Sequence, residues 1–85
     1  MALPDIDFGK FMAGTEAQVK LNRIKNEDKD PGKSLELWAL ILGRPLGNLM
    51  ASVEDGRLDD VEKYVFQTSA VLAEIFSKVR AEKDC

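Results

Sequence analysis

The chain has 85 residues, 45% hydrophobic and 32% charged, with 12 basic and 15 acidic side chains and a net charge of −3. Its length leaves room for one core and excludes a second domain; the acidic balance disfavours nonspecific nucleic-acid binding; and the longest apolar run, Leu37 to Leu42, falls far short of the roughly 20 residues that span a bilayer. There is no histidine, which excludes Ser-His-Asp triads, Cys-His dyads and imidazole metal ligands, while the single cysteine, Cys85, permits neither an intrachain disulfide nor a cysteine zinc cluster.

Residues 1–14 hold Asp7 with Phe8, Phe11 and Met12, enough for a short turn or helix, but Gly9 and Gly14 argue against one continuous rod with the next helical stretch. Ala17, Leu21 and Ile24 recur at helical steps, and Thr15 with Gln18 three residues later has the reciprocal capping pattern, so a helix is expected over 15–26. The polar and turn-forming stretch over 27–33 is a solvated loop. Ser34 has the character of an N-cap, and Leu35, Trp38, Leu42, Leu46, Leu49 and Val53 keep helical spacing, with Leu37 and Ile41 widening the stripe to more than one side. This is the expected core helix, 34–53. Gly43-Arg44-Pro45 should kink or break it between Leu42 and Leu46, because an internal proline loses a backbone bond at a cost of about 3 kcal/mol.

Asp55-Gly56 marks a turn, after which Asp59 as cap and Glu62 three residues on predict a long helix over 59–83. Val61, Val65, Leu72, Phe76 and Val79 hold one face apolar, Thr68, Ser69, Ala70 and Ala73 permit close helix contact, and Lys78, Arg80 and Lys83 suit the negative end of the helix dipole. No strand pattern competes. The expected fold is all-α: a helical hairpin of two long helices with a short N-terminal helix against it. A chain of this size buries only roughly 60–65% of its unfolded surface, and its central helix is apolar on more than one side. A homodimer completing a four-helix bundle is therefore expected.

Glu36-Leu37-Trp38-Ala39-Leu40-Ile41-Leu42, Leu46-Gly47-Asn48-Leu49 and Val65-Phe66-Gln67-Thr68-Ser69-Ala70-Val71-Leu72 together resemble the MazG-like all-α nucleoside-triphosphate pyrophosphohydrolases over about half the chain. The family carries two adjacent glutamates, a third one helical turn on, and a further acid pair on the facing helix. These hold Mg²⁺ ions that clamp the triphosphate while water attacks, since carboxylates three or four residues apart share one helix face. The resemblance places Arg44, Pro45, Asn48, Tyr64 and Gln67 at those positions, none of them a carboxylate. It thus implies the helical framework without catalytic residues, without a metal site and without a cofactor, Mg²⁺ entering only if the inactive assignment is wrong.

The replaced cleft would be edged by Arg44, Asn48, Tyr64 and Gln67, hydrogen-bonding groups with one positive charge that suit an anion or a partner's carboxylate; alternatively the four satisfy one another or water. Trp38 is either a core residue or a surface for stacking a base. Asp55, Asp59 and Glu62, with Glu54 and Asp60 nearby, are explained by turn formation and capping without a bound metal. Three functions are consistent with these residues: a catalytically inactive MazG-like binding or regulatory module; a small phage or mobile-element protein that binds and inhibits a host protein; and a weak Mg²⁺-dependent nucleotide pyrophosphohydrolase. The expected location is cytoplasmic, with a protein partner, no nucleic acid, no membrane, and a nucleotide only as an option of the cleft.

Overall fold

The computed structural model describes residues 2–26 and 32–84, and among them it places three helices and no strand. The loop expected over 27–33 lies largely outside the described residues, as does Cys85.

The first helix, α1, spans Phe8–Lys25 and begins well before the expected start at residue 15. Its cap is Asp7, whose carboxylate accepts the Lys10 N–H at 2.9 Å. Thr15 therefore lies inside the helix. It is buried, with its hydroxyl 2.8 Å from that of Ser69, and Gln18 donates its amide N–H to Asn22 Oδ1 rather than accepting a cap N–H. The N-terminal element is thus an 18-residue helix, longer than the 15–26 expected and still the shortest of the three described helices. Gly9 and Gly14 cost such a helix about 1 kcal/mol each in propensity, but Gly14 is where α1 meets the Phe66 ring. A Cβ there would come within 2.8 Å of Phe66 Cδ1, so only a glycine allows this approach.

The second helix, α2, spans Leu35–Asp55. Ser34 caps it through a hydrogen bond from the Leu37 N–H at 3.1 Å, as the sequence predicts. Gly56 ends it with φ 69°, a left-handed conformation open to glycine without strain, and the Arg57 N–H closes back on the Ser52 carbonyl at 3.1 Å. Of the kink or break expected between Leu42 and Leu46, the break does not occur: the helix continues through Gly43-Arg44-Pro45. Proline loses the bond to the carbonyl four residues back and crowds that carbonyl, and the Pro45 ring is buried on the same seam as Trp38 and Ser52, seven residues to either side. Burial on that seam offsets the missing bond.

The third helix, α3, spans Leu58–Lys83, its 26 residues covering about 39 Å at 1.5 Å each. Asp59 is not its cap, as the sequence suggested. The helix starts one residue earlier, Arg57 holds the cap position without a side-chain bond, and Asp59 and Asp60 lie in the first turn, where negative charge suits the dipole. Arg57 pairs with Asp55 at 3.3 Å and with Asp60 at 3.5 Å, bracing the corner between α2 and α3.

Both other helices pack on α3. α2 lies antiparallel to it across the Gly56 corner, with Trp38 and Ile41 beside Ala70 and Val71. α1 runs in the same direction as α3, through Phe11 against Phe66, Thr15 against Ser69 and Arg23 against Glu74. Trp38, Pro45, Ala70 and Val71 are buried apolar residues of this core. So small a core leaves an elongated molecule, 45 × 24 × 21 Å. Its radius of gyration is 14.3 Å, where a compact chain of this length would have about 12 Å.

Candidate functional site

The four residues expected to edge the altered cleft come from the middle of the α2–α3 hairpin. Arg44 and Asn48 stand one turn apart on α2 and are exposed; Tyr64 and Gln67 stand three residues apart on α3 and are half-buried. Pro45 is buried in the seam between the helices. No hydrogen bond or ion pair joins any two of the four among the described residues, so they do not satisfy one another. The Lys63 ammonium sits 5.3 Å from the Tyr64 ring centroid and occupies one approach to it. Asn48 contributes its backbone carbonyl to the Ser52 hydroxyl at 2.8 Å, leaving its carboxamide to solvent. Among the described residues no group of three or more Asp, Glu or Cys side chains is placed to hold a metal ion.

Trp38 belongs to the core. It is 8% exposed, and the Lys33 ammonium lies 4.8 Å from its ring centroid. The adjoining pocket, lined by Asn22, Asn26, Lys33, Trp38, Val71 and Glu74 among others, encloses about 80 Å³. Small-molecule sites are typically about 300–1,000 Å³, so this pocket is too small for a nucleotide and Trp38 offers no free face for base stacking.

Three features escape the sequence pattern. The Thr15–Ser69 hydroxyl pair is a buried polar link between α1 and α3. Arg23 grips the Glu74 carboxylate through the Nε–Nη2 edge of its guanidinium, Nε donating to Oε2 at 2.9 Å and Nη2 to Oε1 at 2.6 Å, and the Glu74 side chain is only 12% exposed. The Thr68 hydroxyl on α3 is buried with no hydrogen-bond partner among the described residues. None of the three has a periodic signature, because each depends on which residues of distant helices come together.

The most extensive chemical feature is apolar. At 3.6 residues per turn, Leu46, Met50 and Val53 lie roughly 80–140° round α2 from the middle of the Trp38–Pro45–Ser52 seam, and Leu58, Val65, Leu72 and Phe76 lie roughly 100–140° round α3 from Val71. Because the helices are antiparallel, the same rotational sense carries both stripes to one side of the hairpin. The packing of α1 leaves that side open. Leu46 is 40% exposed, Met50 63%, Val53 60%, Leu58 79%, Leu72 49% and Phe76 68%. A lone exposed leucine needs no explanation, but two aligned stripes on adjoining helices form the kind of contiguous patch that marks an interaction site.

Comparison with family models, with curated proteins and with solved structures finds no match to this chain.

Proposed function

We propose that this chain is a catalytically inactive helical binding or regulatory module whose working surface is the apolar side of the α2–α3 hairpin. The observation that carries this reading is the pair of exposed stripes, Leu46–Met50–Val53 on α2 and Leu58–Leu72–Phe76 on α3. A monomer would leave those side chains in water at a cost of about 25 cal/mol per Å² of apolar surface. The resemblance to MazG-like pyrophosphohydrolases supports the inactive half of the reading, since Arg44, Pro45, Asn48, Tyr64 and Gln67 stand where that family places its Mg²⁺ ligands. Triphosphate hydrolysis through such a site depends on carboxylates holding the metal, and neither an arginine nor amides replace them.

The decisive assay measures Mg²⁺-dependent pyrophosphate release from a panel of nucleoside triphosphates. No turnover above the uncatalysed rate is expected, and turnover abolished by chelation would overturn the reading in favour of a weak pyrophosphohydrolase. The companion measurement is a calorimetric Mg²⁺ titration, for which no stoichiometric binding tighter than millimolar is expected.

A second reading, a small phage or mobile-element protein that binds and inhibits a host protein, is favoured by a different surface. Leu3, Ile6, Phe8 and Met12 are 91%, 69%, 65% and 58% exposed at the start of the chain. An inhibitor of that kind would hold one host protein in stoichiometric complex through this segment and lose it when Leu3 and Phe8 are replaced by serine.

A further inference from the structure

We infer that α1 is a releasable strap: it leaves α3 and melts as one unit while the α2–α3 hairpin stays folded, and the Arg23–Glu74 ion pair is the latch that sets how often it opens.

What α1 buries is the first argument. Among its described residues only Thr15, a polar one, is buried, whereas α2 buries Trp38 and Pro45 and α3 buries Ala70 and Val71. Phe8, Met12, Leu21 and Ile24 of α1 stay 65%, 58%, 46% and 73% exposed. Docking α1 therefore gains little of the apolar burial that holds the hairpin together. The hairpin has its own supports: the Trp38 seam, the Arg57 N–H on the Ser52 carbonyl, and Arg57 between Asp55 and Asp60, all made within α2 and α3 or the corner that joins them.

Release and melting are one event. Isolated helices shorter than about 12–15 residues are marginal in water even when rich in alanine, and α1, with 18 residues, carries internal glycines at 9 and 14 that weaken it further. It is helical because α3 holds it. Segments with few buried apolar contacts are those that open locally, below the free energy of global unfolding.

Arg23 places the latch. It lies in the last turn of α1, eight residues and roughly 12 Å beyond Thr15, at the end from which the chain leaves for α2. Its fork on Glu74 is charge-assisted and bidentate, the strongest class of polar contact that α1 makes. The Arg23 side chain is 58% exposed, so salt screens the pair and opening rises with ionic strength. Opening bares Phe66, Ser69 and Glu74, a face of α3 separate from the apolar side of the hairpin and hidden in the closed chain.

The test is amide hydrogen exchange of the full chain, read by mass spectrometry with circular dichroism confirming helicity. After correction for intrinsic rates, amides over 12–25 should exchange together, at least about tenfold faster than those over 38–52 and 65–75. Arg23→Ala should speed the α1 block about three- to fivefold and leave the other two blocks unchanged, with Arg23→Lys, which keeps the charge and loses the fork, in between. Raising sodium chloride from about 0.02 to about 0.5 M should speed α1 in the parent chain and narrow its difference from Arg23→Ala. Equal protection of all three helices, an α1 block indifferent to Arg23→Ala, or acceleration of the hairpin in step with α1 would each overturn the inference.

Discussion

The two contacts on α3 are built in different ways. α1 is fixed by particular pairings: the Thr15–Ser69 hydroxyls, the close approach of Gly14 to Phe66 and the Arg23–Glu74 fork. Its apolar residues are scattered round the helix, and Ile24, 73% exposed, faces away from the core. α2 is fixed by an apolar seam and carries more apolar surface than one neighbouring helix can cover. The contrast separates two roles for sequence. Specific polar and close-packed contacts place a helix without advertising it, whereas a surplus of periodic apolar residues advertises a surface that the single chain does not use.

The contrast breaks most severely at Trp38. It anchors the seam, and Trp38→Ala should cost about 3–5 kcal/mol through lost burial and a cavity, lowering the midpoint of thermal unfolding; a loss under about 1 kcal/mol would mean that the seam is not the main support of the hairpin. Next comes Gly14→Val, which forces the Phe66 ring aside. About 1–3 kcal/mol of destabilisation is expected in denaturant unfolding, partly recovered when Phe66→Leu is added, because the smaller side chain yields room. If Gly14→Val were neutral, α1 would not depend on close approach.

A smaller effect of opposite sign is expected at Thr68 on α3. Thr68→Val removes a buried hydroxyl without a partner and keeps the shape, so the protein should gain about 1 kcal/mol in the same unfolding measurement. Loss of stability there would reveal a hydrogen bond made by Thr68. The smallest effect belongs to Arg44→Ala. Arg44 is exposed and makes no ion pair among the described residues, so stability should change by less than about 0.5 kcal/mol with helicity unchanged. Any anion or partner carboxylate that relies on this guanidinium should nevertheless bind more weakly, as equilibrium dialysis with inorganic phosphate would show.

How much of this was legible varies by helix. For α2 and α3 the apolar stripes, the Ser34 cap and the Asp55-Gly56 turn sufficed, since local chemistry and tertiary packing agree there. Pro45 does not break α2, because a rule about isolated helices meets a buried site where packing accompanies the lost bond. α1 was placed too late because Thr15 and Gln18 imitate a capping box, while the true cap, Asp7, precedes two glycines that propensity alone would exclude. As for the candidate cleft, sequence located Arg44, Asn48, Tyr64 and Gln67 on the right helices but carried no sign that they would stay unbonded to one another. Trp38 resolved to its core role because the packing of α3 and Lys33 against the ring is a property of the assembled fold.

The most direct test of the working face, and of the homodimer that the sequence leads us to expect, is carbene footprinting of apolar side chains as a function of protein concentration. Met50 and Phe76 should lose labelling as concentration rises, while Leu40, 77% exposed on the other side of α2, and Ile24, 73% exposed on the outer side of α1, should label equally throughout. Unchanged labelling of Met50 and Phe76 at every concentration, or protection of Leu40 and Ile24 in their place, would contradict the account.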